Sequence, residues 1–492
     1  MQEKIRVTTG IPGLDTVLNG GLLKGGTYII MGHPGAGKTI MGNQMAFHHV
    51  ANGGKAVYVT LLAESHSRML MHLEDMSFLD EDVIGEDLTY LSAYSILEDE
   101  GLTGLLNMLL KTLQYSQASL LVIDGLVSAS VAAKTPTEFK KFIHGLQVRV
   151  ESLDCTAVLL TSPGPPQSPN TEHTMVDGVV ELTDELVSLR HLRELSVLKF
   201  RGSQNLRGKH TLDISDDGIT IYPRIETRYA EMVSTADAQE ERTAFGIESL
   251  DALLHGGLIG GSTTVIIGAP GTAKTLLGLH FLAEGASQGR PALGYSLSEQ
   301  PRRLVEKARR ISLDLQPHLD NGNLILRSQS PLSGSLDQMG NDILDTVEQV
   351  GAQRVFIDGI DGFQRVNLQP PRLQRFVTAL ADELTSRGCS VIFSHELGQV
   401  GTSALTLQRE QLPATIDNML AIQYVRVNNK LRRVLNVLKE YDHSQQDTVR
   451  EFYISDHGID VAPTGQSAEE ILHVEKQRGQ REDPSGHTTD DA

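Results

Sequence analysis

The chain comprises 492 residues, 40% of them hydrophobic and 21% charged, and carries a formal net charge of −19. At roughly 100–200 residues per domain it has room for several ordinary globular cores. So acidic a chain is repelled by phosphate backbones and anionic lipid unless a local basic patch intervenes, which makes nucleic acid an unfavoured partner.

Two cysteines, Cys155 and Cys389, make no disulfide framework and suit a reducing cytosol. The opening MQEKIRVTTG lacks the apolar segment of a signal peptide, and no apolar run approaches the roughly 20 residues that span a bilayer. The expectation is a soluble cytoplasmic protein without a membrane partner.

Along the chain, GIPGLDTVLNGGLLKGG leads into the apolar run TYIIM and then Gly32-His33-Pro34-Gly35-Ala36-Gly37-Lys38-Thr39. This octet fits G-x-x-x-x-G-K-[ST]. It lies between a predicted strand and the helical pattern TIMGNQMAFHHV, the context a phosphate loop requires. Its glycines let several backbone N–H groups converge on one phosphate cluster, and the helix start adds its positive dipole end. Lys38 neutralises terminal phosphate charge, and the Thr39 hydroxyl reaches Mg²⁺. Gly32, Pro34, Gly35, Ala36, Gly37, Lys38 and Thr39 are therefore assigned to ATP.

The run KAVYVTLL follows. Glu64 just beyond it is a candidate for activating the attacking water. A solvated carboxylate at a helix start accounts for it about equally well. ASLLVID ends in Asp124, a strand-tip carboxylate placed to hold Mg²⁺ beside the phosphate loop. TAVLLTS is the next buried run. Short buried runs alternating with helical patterns predict a mainly parallel sheet covered by helices on both faces, hence an α/β domain.

The pattern then repeats. GIESLDALLHGGLIGG begins at Gly246, 236 residues after Gly10, and Lys274 lies 236 after Lys38. That spacing is a whole domain and too long for a solenoid repeat. The reading is a first domain over 1–222, a linker over 223–243, a second domain over 244–463 and a tail over 464–492. The tail's polar composition resists ordering and offers a handle for a signalling partner. The second loop contributes Gly268, Gly271, Thr272, Ala273, Lys274 and Thr275. Ala273 replaces the last loop glycine; its methyl obstructs phosphate approach or resists a positive φ, so less conventional nucleotide binding is expected. Asp358 ends VFID in the role of Asp124, and would hold Mg²⁺ with Thr275. Glu299 follows GYSLS, 235 residues after Glu64.

The tandem copies, GIPGLD…GGL, both phosphate loops, LVIDGL and VFIDGI, and VLKFRGS followed by ISDDGITIYP together resemble the KaiC family of clock ATPases and kinases, over about residues 5–463. The resemblance implies two RecA-like P-loop domains per chain, stacked as a double-ring hexamer with ATP between neighbouring subunits. It implies that Lys199 and Arg201 reach a neighbour's ATP as catalytic cations, and that Ser215 and Asp216 lie near the base or ribose. In the second copy the matching motif is Lys439-Glu440-Tyr441-Asp442, which keeps the lysine alone. The family carries two adjacent glutamates after the second strand, the first as general base. Here Ala63-Glu64 and Ser298-Glu299 stand in their place, so slow turnover dependent on Glu64 and Glu299 is expected. Pro413-Ala414 occupy the family's Ser-Thr phosphoacceptor pair. Serine/threonine autokinase activity is thus implied without its usual acceptor.

Three readings stay open: a slow Mg-dependent ATPase with autokinase activity, a nucleotide-sensing scaffold with little turnover, and a DNA-dependent recombinase or helicase. The last needs Lys or Arg on loops facing a ring centre. None occurs from Glu151 to Leu189, and Arg409 alone occurs from Cys389 to Val425. Lys134, Lys140 and Lys141 form the best remaining basic cluster, better explained as a solvated helix face.

Overall fold

The structure is a computed structural model that describes residues 5–62, 66–163, 172–187, 189–229, 241–330, 334–396, 412–413, 415–427, 430–441 and 449–463. It divides into two units, Met1–Arg228 and Tyr229–Ala492.

The first unit is built on one nine-stranded sheet. Its strands are β1 (Thr27–Gly32), β2 (Ala56–Thr60), β3 (Leu88–Ser92), β4 (Leu120–Asp124), β5 (Thr156–Thr161), β6 (Gly178–Val187), β7 (Arg190–Phe200), β8 (Lys209–Ser215) and β9 (Gly218–Tyr222). They lie in the order β3-β2-β4-β5-β1-β6-β7-β8-β9. Every pairing from β3 to β6 is parallel, and every pairing from β6 to β9 is antiparallel.

Side chains alternate across the central strands, which explains their unbroken apolar runs: both faces are buried. Tyr58 and Val122 enter a core with Met41, Met45 and Phe47 of helix α1 (Lys38–Ala51). Val57, Leu121 and Ile123 enter the opposite core with Leu105 and Leu109 of α2 (Tyr94–Ser116) and Phe142 and Leu146 of α3 (Pro136–Ser152). α3 starts as its sequence dictates: Pro136 opens the first turn, and the Thr135 hydroxyl accepts from the Glu138 N–H at 3.1 Å.

The second unit repeats the plan. Its strands are β10 (Thr263–Gly268), β11 (Ala292–Ser296), β12 (Leu324–Ser328), β13 (Arg354–Asp358), β14 (Ser390–Glu396), β15 (Asn418–Val427), β16 (Lys430–Lys439), β17 (Val449–Ser455) and β18 (Gly458–Val461). The order β12-β11-β13-β14-β10-β15-β16-β17-β18 matches the first unit strand for strand. Helices α4 (Lys274–Ser287), α5 (Pro301–Arg309), α6 (Leu336–Val350) and α7 (Leu373–Ser386) complete its frame.

The mainly parallel sheets expected from the buried runs are present in both copies, as two tandem RecA-like domains. Of the segment expected to link them, 225–228 forms a helical turn in the first unit and 242–243 pairs as a short strand in the second. Residues 230–240 and the tail lie outside the described residues. Among the described residues no helix is long and apolar enough to cross a membrane.

Candidate nucleotide sites

In each unit the phosphate loop joins the central strand to the helix behind it, at the carboxyl ends of the parallel strands. Ligands of open α/β sheets bind there. In the first unit, Lys38 Nζ donates to the carbonyls of Gly32 and His33 at 2.8 and 3.0 Å. These bonds curl the lysine back over its own loop, where phosphate oxygens would compete for the same protons. Pro34 and Gly35 are exposed at the tip, while Ala36 is buried beneath it. The Thr39 hydroxyl donates to Asp124 Oδ2 at 2.9 Å.

The buried Tyr58 hydroxyl donates to the same oxygen at 3.0 Å, a contact that the strand run KAVYVTLL did not reveal. Burial raises the Asp124 pKa, opposed by the hydrogen bonds from Thr39 and Tyr58. Burial lowers the pKa of Lys38, opposed by the Asp124 charge. A hydroxyl and a carboxylate beside a phosphate-binding lysine are the hard oxygen donors that Mg²⁺ prefers when phosphates complete its shell. Thr39 and Asp124 therefore fit that ion.

The second site repeats the core contacts. Lys274 Nζ donates to Gly268 and Ala269 carbonyls at 2.8 and 3.0 Å, and Thr275 Oγ1 lies 3.1 Å from both Asp358 oxygens. Thr272 is buried and donates to the Ala269 carbonyl at 2.8 Å. Asp358 also accepts from Ser394 at 2.7 Å and from Ser298 at 3.3 Å. Ser298 thus serves as a donor to the Asp358 carboxylate. Burial raises the Asp358 pKa, and the Ser394 and Thr275 hydrogen bonds oppose it. Lys274, Thr275, Asp358 and Glu299 line one cleft of about 410 Å³.

Glu299 is ion-paired with Lys307 on α5. Its partner in the first copy, Glu64, lies outside the described residues, as does Ala63. The register is informative nevertheless. Thr60 stands opposite Asp124 and Ser296 opposite Asp358. Counted from these matched positions, Glu299 is the third residue on and Glu64 the fourth. The two glutamates therefore differ by one position relative to the sheet.

Ala273 resolves the question its sequence raised. It adopts φ 84° and ψ 23°, the left-handed conformation that Gly37 holds at φ 96° in the first unit. A Cβ on Gly37 would lie 2.9 Å from Ile214 Cδ1, whereas the Ala273 methyl packs on the edge of its own core. The second loop therefore keeps its shape at the cost of backbone strain. Ala273→Gly is expected to stabilise the second unit by about 1 kcal/mol. Thermal unfolding followed by hydrogen exchange in α4 checks this; an unchanged or lowered stability means that methyl packing outweighs the strain.

The residues assigned to a neighbour's nucleotide sit elsewhere. Lys199 Nζ donates to the carbonyls of His173, Thr174 and Val176 at 2.8, 3.0 and 2.6 Å, and Arg201 donates to Thr174 at 2.9 Å. Lys439 repeats this through the Ile416 carbonyl. Carbonyl oxygens hold these cations, and the Asp177 carboxylate also acts on Lys199. Ser215 and Asp216 are exposed at the β8–β9 turn, where the Asp216 carbonyl accepts from the Ser77 N–H at 2.8 Å. The other charges around Lys199 are matched within the sheet. Arg193 lies 3.2 Å from Asp184, and Lys209 lies 2.9 Å from the buried Glu194. RHLRELSVLKFRG is thus less basic as a surface than as a sequence.

Comparison with known proteins agrees with this geometry. The family model described as ATPase: KaiC matches residues 7–226 and again 243–466. The chain is 26% identical over 482 residues to the circadian clock oscillator protein KaiC of Picosynechococcus sp., covering 96% of this chain and 92% of that one. It is 27% identical over 485 residues to circadian clock oscillator protein KaiC 1 of Synechocystis sp., covering 96% and 91%. It is 25% identical over 485 residues to circadian clock protein KaiC2 of the same organism, covering 93% and 81%. With two matched copies, each built on the same sheet and phosphate loop, the chain belongs to the KaiC ATPase family.

Proposed function

We propose that this chain binds Mg-ATP in both units and hydrolyses it slowly in the first, at subunit interfaces of a cytoplasmic homo-hexameric ring. The observation that carries this reading is the cluster of Lys38, Thr39 and Asp124 at the mouth of β1 and β4. Thr39 and Asp124 would hold Mg²⁺, which supplies positive charge to the β- and γ-phosphate oxygens when bound. Lys38 leaves its two carbonyl partners for those oxygens and offsets charge that grows as the terminal phosphoryl group departs. Glu64 orients the attacking water. Lys199 and Arg201, hydrogen-bonded to backbone carbonyls, deliver charge to a neighbour's nucleotide.

The second unit favours the sensing reading. Its Glu299 is neutralised by Lys307, and Ser298 is a weak proton acceptor where the family has a glutamate. Nucleotide bound there through Lys274, Thr275 and Asp358 sets conformation for a signalling partner at the tail. Autokinase activity rests on resemblance, with buried Pro413 unable to accept phosphate and Ala414 outside the described residues.

Equilibrium binding of radiolabelled ATP with Mg²⁺ tests the assignment. Two nucleotides per chain are expected in the wild type, and one each in Lys38→Ala and Lys274→Ala. A single nucleotide in the wild type, with radiolabelled ADP as well as with ATP, would remove the second site. Unchanged binding in both variants would remove the phosphate-loop assignment altogether.

A further inference from the structure

The second cleft holds a carboxylate that neither phosphate binding nor the metal site requires. Glu396 is the exposed last residue of β14. The parallel register sets it directly beside Gly268, the first residue of the second phosphate loop. It lines the same cleft as Lys274, Thr275 and Asp358. The strand end is pinned: the Glu396 N–H donates to Asp361 Oδ2 at 2.9 Å, and Asp361 Oδ1 lies 2.8 Å from Nδ1 of the buried His395. Among the carboxylates that act on the Lys274 ammonium, Glu396 comes ahead of Asp358 and Asp361. In the first unit Thr161 pairs with Met31, so the neutral Ser162 falls beside Gly32.

A phosphate-loop lysine serves the terminal phosphates. A carboxylate in the same cleft as that lysine attracts its charge and opposes a further negative charge brought in beside Gly268. In ATP that is the γ-phosphate; ADP has no such group. Like charges in a half-enclosed cleft repel far more than in open water. The penalty therefore falls on the triphosphate and largely spares the diphosphate.

We propose that Glu396 determines nucleotide choice in the second unit, biasing it toward a nucleoside diphosphate while the first unit, with Ser162, takes the triphosphate. This rests on the reading that the second phosphate loop binds nucleotide.

The test uses full-length Lys38→Ala protein, so that the second site reports alone. A fluorescent ADP is displaced by ADP or by the β,γ-imido analogue of ATP, with Mg²⁺ present. Glu396→Gln and Glu396→Ser are then added to the Lys38→Ala background. ADP should bind more tightly than the analogue in Lys38→Ala. Either substitution should raise analogue affinity roughly tenfold, and ADP affinity much less. An ADP-to-analogue ratio unmoved by both substitutions overturns the proposal and leaves second-site binding intact. The proposal also falls if both substitutions abolish second-site phosphate release without moving that ratio, because Glu396 would then activate water. Absence of any nucleotide binding in Lys38→Ala would instead remove the second-site reading, and the proposal with it.

Discussion

Phosphate release from Mg-ATP is expected to fall roughly a thousandfold in Lys38→Ala and to persist in Lys274→Ala. A thousandfold is about 4 kcal/mol of transition-state stabilisation. That is a reasonable loss for a cation aimed at developing phosphate charge in a partly buried site. Asp124→Asn should follow Lys38→Ala, because Asp124 anchors Thr39 and would hold the metal together with it. The second site is expected to contribute little to turnover. Glu299 is held by Lys307, Ser298 donates to Asp358, and the loop carries the strained Ala273.

Steady-state phosphate release at saturating Mg-ATP decides the matter, with circular dichroism to confirm folding. Loss in Lys274→Ala with retention in Lys38→Ala would reverse the ranking of the two sites. Wild-type protein that binds ATP but releases no phosphate would leave the nucleotide-sensing scaffold. DNA-stimulated release would revive the motor reading that the net charge of −19 disfavours.

The central strands and both phosphate loops were legible in the sequence because their signals are local. TYIIM and LLVID are apolar without interruption since both faces of β1 and β4 are covered, and a loop of fixed pattern follows the first of them. The antiparallel extension from β6 to β9 was not legible as a sheet. Its strands mix leucines with charges, as in RHLRELSVLKF, and those charges are matched only across strands. Asp184 meets His191 and Arg193, and Glu194 meets Lys209. Nothing in one strand's own sequence announces its partner.

Tyr58, Ser394 and Glu396 escaped for a related reason. Each reaches its site through strand register, on a strand with no motif of its own. A tyrosine within KAVYVTLL reads as a packing residue until β2 is placed beside β4. The duplication was plain at the loops, and its offsets of 236 at the lysines and 235 at the glutamates already differ; strand register is what ties that difference to Thr60 and Ser296.

Arg354→Ala should destabilise the second unit by roughly 3–5 kcal/mol, and Arg354→Leu by less. Arg354 opens β13, is 1% exposed, and occupies the register position of Leu120 in the first unit. One core therefore uses a leucine where the other uses a guanidinium. The guanidinium is held by several contacts. Nη1 donates to the Ala244 and Phe281 carbonyls at 2.6 and 2.8 Å, and Cζ lies 4.8 Å from the Phe281 ring centre. A Cβ on Gly285 would come within 2.5 Å of Arg354 Cδ, so the glycine in α4 leaves room for the stem. Burial lowers the Arg354 pKa to about 10, opposed chiefly by Glu284.

Alanine removes the hydrogen bonds, the ring contact and the volume together, and leaves buried carbonyls short of a donor. Leucine restores much of the volume and the residue type of the first copy, which isolates the polar share of the loss. With two units a single global transition does not report on one of them alone, so the measurement is denaturant-dependent hydrogen exchange resolved between α1 and α4. Protection should fall in α4 and stay constant in α1. A Leu variant as weak as the Ala variant would show that the carbonyl bonds dominate. An Ala variant as stable as the wild type would mean that the buried cation's desolvation cancels everything it contacts.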